Sequence, residues 1–251
     1  MSESTIGSLS TTSTKPVVQP SEASWTAIYR VGAAAATAIL ILMPIQIAIF
    51  VVWPPPETVG DFFVLLRDNW LRGLLNLDLL YVFTNVLMLP VFLALCVALR
   101  RVSPSAIALA LVLGLVSIAT YFSSNPSFEM LSLSNRYAAA TSDAERSIFL
   151  AAGEAMLATN NGTAFDIYYV MNGVALIIIS AVMLRSSVFS KATAYAGLLS
   201  GALMLVPSSA GAIGLVFSLV SLIPWAVFSV LIARRLFRIG LDVPQPQHTA
   251  H

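Results

Sequence analysis

From Val31 to Val52 the chain runs for 22 residues without a charge, and from Gly211 to Ala233 it does so for 23. A helix rises about 1.5 Å per residue, so about 20 apolar residues span the hydrocarbon core of a bilayer. Such runs leave few folds open. In lipid every backbone N–H and C=O must be satisfied inside the segment, which a helix achieves and an open sheet edge does not. The sequence therefore predicts an all-α, polytopic transmembrane helix bundle. About six stretches meet or approach the required length: 31–52, 77–99, 105–122, 164–184, 193–206 and 211–233. Composition agrees, since 10% of the residues are charged against roughly 25% in a soluble domain.

Orientation follows from the placement of Lys and Arg, which collect on the cytoplasmic side. With the N-terminus inside, Lys15, Arg30, Arg100, Arg101, Arg185, Lys191, Arg234, Arg235 and Arg238 all fall inside. Only Arg67, Arg72, Arg136 and Arg146 fall outside. Both termini are then cytoplasmic. Dropping the short fifth stretch would carry Arg234 and Arg235 across. The Ser/Thr-rich residues 1–24 lack the pattern of a cleaved signal peptide and read, like residues 241–251, as a disordered cytoplasmic tail.

Two outer connections carry helical patterns of their own. Within 61–75, Phe62, Phe63, Leu66, Trp70 and Leu74 share a face opposite Asp61, Arg67, Asp68 and Arg72, which predicts an amphipathic helix lying on the outer membrane surface. Within 126–160 two helices are expected. Asn125-Pro126 starts the first, Ser142 and Glu145 have capping-box spacing for the second, and Asn160-Asn161-Gly162 ends it. The pair is either a cap over the bundle or a solvated hairpin.

The chemistry that the sequence excludes is broad. A net charge of +1 gives no pull toward nucleic acid. Cys96 is the single cysteine, and His248 and His251 both lie in the C-terminal tail, so no disulfide, histidine metal site or histidine base is available to the apolar segments. Serines such as Ser180, Ser218 and Ser221 have no histidine to activate them, and no P-loop, dinucleotide fingerprint, H-E-x-x-H or G-x-S-x-G motif is present. The expectation is a protein that is no enzyme and carries neither cofactor nor metal.

Polar groups inside a membrane are costly unless partnered, which makes them the candidates for function. Asp78, Tyr81 and Asn85 stand at i, i+3 and i+7 on one face of the second helix. Asp166, Tyr169 and Asn172 open the fourth, with Tyr169 and Asn172 sharing a face and Asp166 rotated from Asn172. They read either as an outward-facing ligand pocket or as dipole-matched acids, belt tyrosines and interhelical glue. Gln46 is a further interior polar group. Pro44, Pro90 and Pro224 sit inside three helices, where they kink or shape the packing, and Gly197 and Gly201 have the spacing of close helix contact. The second and sixth helices also echo one another without a gap, Thr84 falling on Ser218, Pro90 on Pro224 and Arg100-Arg101 on Arg234-Arg235. Asp78, Tyr81 and Val82 likewise echo Asp166, Tyr169 and Val170 in the fourth. The echo is either a parallel repeat or chance among apolar helices.

The stretch Asn125-Pro126-Ser127-Phe128-Glu129-Met130-Leu131-Ser132-Leu133-Ser134, the 164–184 helix, the turn from Arg185 to Gly197, and Ala233-Arg234-Arg235-Leu236-Phe237 together resemble the uncharacterised DUF4386-type family of bacterial integral membrane proteins. The resemblance implies about six membrane helices and a bacterial plasma membrane; it brings no activity and no catalytic residues. The leading functional expectation is non-enzymatic binding of a small or lipidic molecule, or of a partner protein, from the outer side. A small-solute transporter is the alternative, and a structural or assembly role is the third.

Overall fold

The structure is a computed structural model that describes residues 25–242; the expected tail at 1–24 and residues 243–251 of the C-terminal one, with His248 and His251, lie outside the described residues. Ten helices and no strand are found among the described residues: α1 (Thr26–Val52), α2 (Val59–Asp68), α3 (Trp70–Asn76), α4 (Leu79–Leu99), α5 (Pro104–Ser124), α6 (Ser127–Ala139), α7 (Asp143–Asn160), α8 (Thr163–Leu184), α9 (Lys191–Leu203) and α10 (Gly211–Asp242).

Six of them close a ring. Each packs on two neighbours in the order α1, α4, α5, α8, α9, α10 and back to α1, while contact across the ring is slight. In lipid the hydrophobic effect does not drive helices together, so close approach depends on small residues that let backbones meet. A Cβ on Gly32 of α1 would stand 2.4 Å from that of Ala94 on α4. One on Gly197 of α9 would stand 2.1 Å from Ser180 Oγ of α8, and one on Gly201 would stand 2.8 Å from the Gly173 carbonyl oxygen. The Gly197/Gly201 pair therefore packs inside the bundle, on α8.

The outside of the ring is apolar. Ile41, Phe83, Leu109, Leu199 and Ile223 are 57%, 57%, 54%, 56% and 70% exposed, which is the surface that lipid covers. Five segments, containing α1, α4, α5, α8 and α10, are long and apolar enough to cross a membrane. The sequence predicts a sixth span at 193–206. Here α9 has 13 residues, about 20 Å of helix, and falls short alone. Turns from Met204 to Ala210 follow it. At one end Lys191 Nζ donates to the Leu184 carbonyl, the last turn of α8, and at the other Ser209 Oγ donates to Asp166, in its first turn. Residues 191–209 thus run the whole length of α8, and α10 starts at the same end as α4 and α8.

One end of the ring is basic. Arg30 Nε donates to the Gly240 carbonyl at 3.0 Å and Arg235 Nε to that of Val188 at 2.5 Å, while Arg100 stacks over Trp25 with its guanidinium carbon 4.7 Å from the ring centre. The expected sixth stretch ends at Ala233, but α10 continues past Arg234-Arg235 to Asp242, with Arg235 held on the Val188 carbonyl.

The opposite end carries a second core. Val59, Phe62, Phe63, Leu66, Leu74, Leu77, Met130, Ala140 and Phe149, from α2, α3, α6 and α7 with their flanking residues, bury one another. This corrects the surface-helix reading of 61–75. The segment is two helices broken at Asn69, whose side chain caps α3 by accepting from Arg72 N–H. The apolar face of α2 is covered by α6 and α7 rather than by lipid. Ser142 and Glu145 form the capping box of α7, with Ser142 Oγ accepting from Glu145 N–H and Glu145 accepting from Thr141 N–H. Asn125 Nδ2 and Ser127 Oγ both donate to the Leu77 carbonyl, at 2.8 and 2.6 Å, and Ser134 Oγ donates to that of Phe63. This layer is one folded unit, pinned to the ring where α4 begins.

Gly197→Val places methyl groups against Ser180 and Phe228. It is expected to cost about 1–3 kcal/mol through overpacking, seen as a lower unfolding temperature of the purified protein in detergent. Tyr195→Val, on the exposed side of the same helix, leaves that temperature near the wild-type value.

Candidate ligand cavity

The ring encloses a space of about 320 Å³ in the half away from the arginines, walled by α1, α4, α8, the α9–α10 turn and α10. Asp78, Tyr81, Asn85, Tyr169 and Asn172 all line it, so five of the six candidate residues share one cavity. Asp166 does not line it. It faces the α9–α10 turn, where Ser209 donates to its carboxylate; its place in the first turn of α8 gives it the helix-end role that acids commonly take.

Asp78 behaves differently. It is the residue before α4 and the single non-glycine among the described residues with positive φ, at 65°. Aspartate tolerates this left-handed conformation better than most residues. The conformation turns its side chain away from the N–H groups of α4, and no capping bond forms. Among the described residues its carboxylate has no hydrogen bond and no cation. Burial pushes its pKa up from the usual carboxylate range to about 6, because the charged form loses hydration without gaining a partner.

Deeper along the same face Asn85 is 1% exposed. Its Nδ2 donates to the Tyr81 carbonyl at 3.0 Å, which fixes the amide orientation because that carbonyl only accepts. Asn85 Oδ1 is left buried without a partner, and so are both amide atoms of Gln46 on α1. The aromatic wall is connected. Tyr81 and Tyr168 share a hydroxyl hydrogen bond of 2.7 Å across α4 and α8, and their rings meet edge to face. Phe165 and Tyr169 lie stacked 6.3 Å apart, and Tyr169 donates to Ser218 Oγ of α10 at 2.9 Å. Phe50 and Trp225 complete the wall.

With this geometry in view, the family can be stated. A family model described as "Domain of unknown function (DUF4386)" matches residues 72–240. The chain belongs to the DUF4386 family. No curated protein and no solved structure matches it. The DUF4386 match begins at α3, so it takes in Asp78, Tyr81, Asn85, Phe165, Tyr168, Tyr169, Asn172 and Ser218 of the cavity, whereas α1 with Gln46 precedes it.

The sequence reading passed over Tyr168, which lies at the centre of the aromatic wall. The signal was present, because Phe165, Tyr168 and Asn172 stand at i, i+3 and i+7, the same pattern that singled out Asp78, Tyr81 and Asn85. Phe50, Ser218 and Trp225 join the cavity only through the packing of α1 and α10, which no local spacing reveals. No group of three acidic, cysteine or histidine residues comes together among the described residues.

The raised pKa of Asp78 has a defined effect on stability. Between pH about 4 and about 6 the folded chain holds a proton that the unfolded chain has lost, so stability falls as pH rises through that window and levels off above it. Asp78→Asn is therefore expected to unfold at a higher temperature than wild type at pH 7.5, by at most about 3 kcal/mol in stability. The gap should close near pH 4. Thermal unfolding in detergent at the two pH values checks it, and equal gaps at both would contradict the assignment.

Proposed function

We propose that this multi-pass membrane protein is a non-enzymatic binder that takes a small molecule into the ring from the end opposite the arginines. We further propose that the arginine end faces the cytoplasm, by the rule that Lys and Arg stay on that side, and that the membrane is a bacterial plasma membrane. The observation that carries the binding reading is Asn85, a cavity-lining residue whose buried Oδ1 has no hydrogen-bond partner. Interhelical glue spends its hydrogen bonds on neighbouring helices. Asn85 spends one on its own helix, at a place where the residue lines a cavity. A buried acceptor of this kind is ordinarily satisfied, by protein, water or ligand.

The experiment is thiol accessibility. Cys96→Ala removes the native thiol, and Asn85→Cys places one about 10 Å along α4 from Asp78. A membrane-impermeant thiol reagent added to whole cells is expected to label position 85, alongside a positive control in the 141–143 turn and a negative control at Val102. No labelling at 85, with both controls behaving, would remove the cavity as a binding site reached from outside.

A transporter reading draws on a separate feature. Below the cavity a narrow crevice of about 30 Å³ continues toward the arginine end, walled by Ala36, Phe92, Leu95, Phe228 and Ile232 among others. Pro44, Pro90 and Pro224 lie in three of the helices that wall the two spaces, and each removes a backbone hydrogen bond at the height where the wall would have to part. Transport predicts solute flux into proteoliposomes that Pro90→Ala slows. Binding without transport predicts ligand retention and no flux.

A further inference from the structure

We infer that the cavity takes an organic monocation, a protonated amine on a compact apolar or aromatic body. The inference rests on the binding reading above and specifies its ligand.

Four observations converge. First, of all the side chains that line the cavity, Asp78 alone carries a formal charge; no Lys, Arg or His faces it. A carboxylate withdrawn from water without a counter-ion is costly, and a bound cation removes that cost. Second, the wall holds an unpartnered acceptor. Asn85 Nδ2 is committed to the Tyr81 carbonyl, so the unpartnered atom of this cavity-lining residue is Oδ1, which calls for a donor such as an ammonium N–H. Third, the wall is rich in aromatic residues, Tyr81, Phe165, Tyr168, Tyr169 and Trp225, a side-chain class that attracts cations. Fourth, the end of the molecule through which a ligand would enter carries nine carboxylates, Glu57 to Asp166, against four arginines. That excess raises the local concentration of cations and lowers that of anions.

The alternatives fit less well. An anion would meet the Asp78 carboxylate and an unpaired amide oxygen. A bare metal ion needs several oxygen ligands around one point, and its volume is a small part of about 320 Å³. A neutral apolar molecule would leave both Asp78 and Asn85 unpaired. Gln46, with donor and acceptor both free, sets a polar contact on the α1 side for a ligand that carries a second group.

The test uses the full-length protein in nanodiscs with three probes of similar size: phenethylammonium, 2-phenylethanol and 3-phenylpropionate. A single cysteine at Ser218→Cys, in the Cys96→Ala background, reports occupancy through protection from a neutral thiol reagent at constant ionic strength. The expected result is protection by phenethylammonium at concentrations at least tenfold below those needed for 2-phenylethanol, and none by 3-phenylpropionate. Asp78→Asn should weaken phenethylammonium by about thirtyfold or more, the low end of what removing a buried charge partner costs. The same substitution should leave 2-phenylethanol unchanged, which also shows that the variant is folded. Glu154→Gln, an exposed carboxylate on α7, should change neither. Equal protection by the amine and the alcohol, or an Asp78→Asn variant that holds the amine as well as wild type, overturns the cation assignment while the cavity stands. Failure of the reagent to reach positions 85 and 218 at all overturns the binding reading beneath it.

Discussion

The structure depends on how helices are held together where hydrophobic burial gives no net drive. Lipid is as apolar as leucine, so contacts in the bilayer are won by shape. In this chain shape is supplied at the rim of the ring, where Gly32 meets Ala94, Gly114 meets the Phe92 ring and Gly197 and Gly201 meet α8. Six cylinders closed edge to edge leave a gap about the width of a seventh. Ordinary helices are about 10 Å across, so the centre must be filled or stay open. Toward the arginine end Phe92, Leu95, Phe228 and Ile232 fill it almost completely, leaving about 30 Å³. Toward the other end the wall residues are tyrosines tied to one another and to serines, and about 320 Å³ remains. Hydroxyl bonds such as Tyr81 to Tyr168 and Tyr169 to Ser218 hold the rings back against the wall. Removal of a hydroxyl would free a ring to turn inward, so the polar network keeps the space open as much as it joins the helices.

Much of this was legible in the sequence, and the reasons for the remainder are physical. Run length and charge placement determine that the chain spans a membrane and which loops share an end, because both are set by the solvent and not by partners. Five of the six residues singled out by polarity at helical spacing meet in one cavity, since an unpartnered polar group in an apolar helix has few other places to point. Asp166 was the exception. Its spacing already set it off the Asn172 face, and the α9–α10 turn claims it instead. The pattern within 61–75 reported an apolar face correctly but could not say what covers it. Lipid and a second helix make the same demand on a stripe of Phe and Leu, and only the tertiary structure shows α6 and α7 there. The sequence echo survives in part. Thr84 and Ser218 both line the cavity, whereas Asn85 lines it and its counterpart Leu219 is exposed on the ring's outer face.

The outer layer bears on the site through a single point. Leu77 delivers its carbonyl to Asn125 and Ser127 and its side chain to the second core. The next residue is Asp78. An unfavoured backbone conformation persists where its surroundings over-determine it, and here the constraint is visible on both sides: α3 and α6 hold Leu77, and α4 begins at Leu79. These helices therefore hold the backbone beside Asp78 as well as cover an end of the bundle.

Stability alone offers no reason for this arrangement. An aspartate at the start of a helix can gain from capping and from the dipole, and Asp166 shows the benign form of that placement in the same protein. Asp78 gives up the capping bond, takes a left-handed backbone and loses hydration without an ion pair. Asn85 and Gln46 likewise leave hydrogen-bonding capacity unused in the same space. Chains tolerate such costs where a site needs them, and three of them border one cavity from two different helices and the start of one. α1 and α4 bring Gln46, Asp78 and Asn85 to one cavity, beside the aromatic wall.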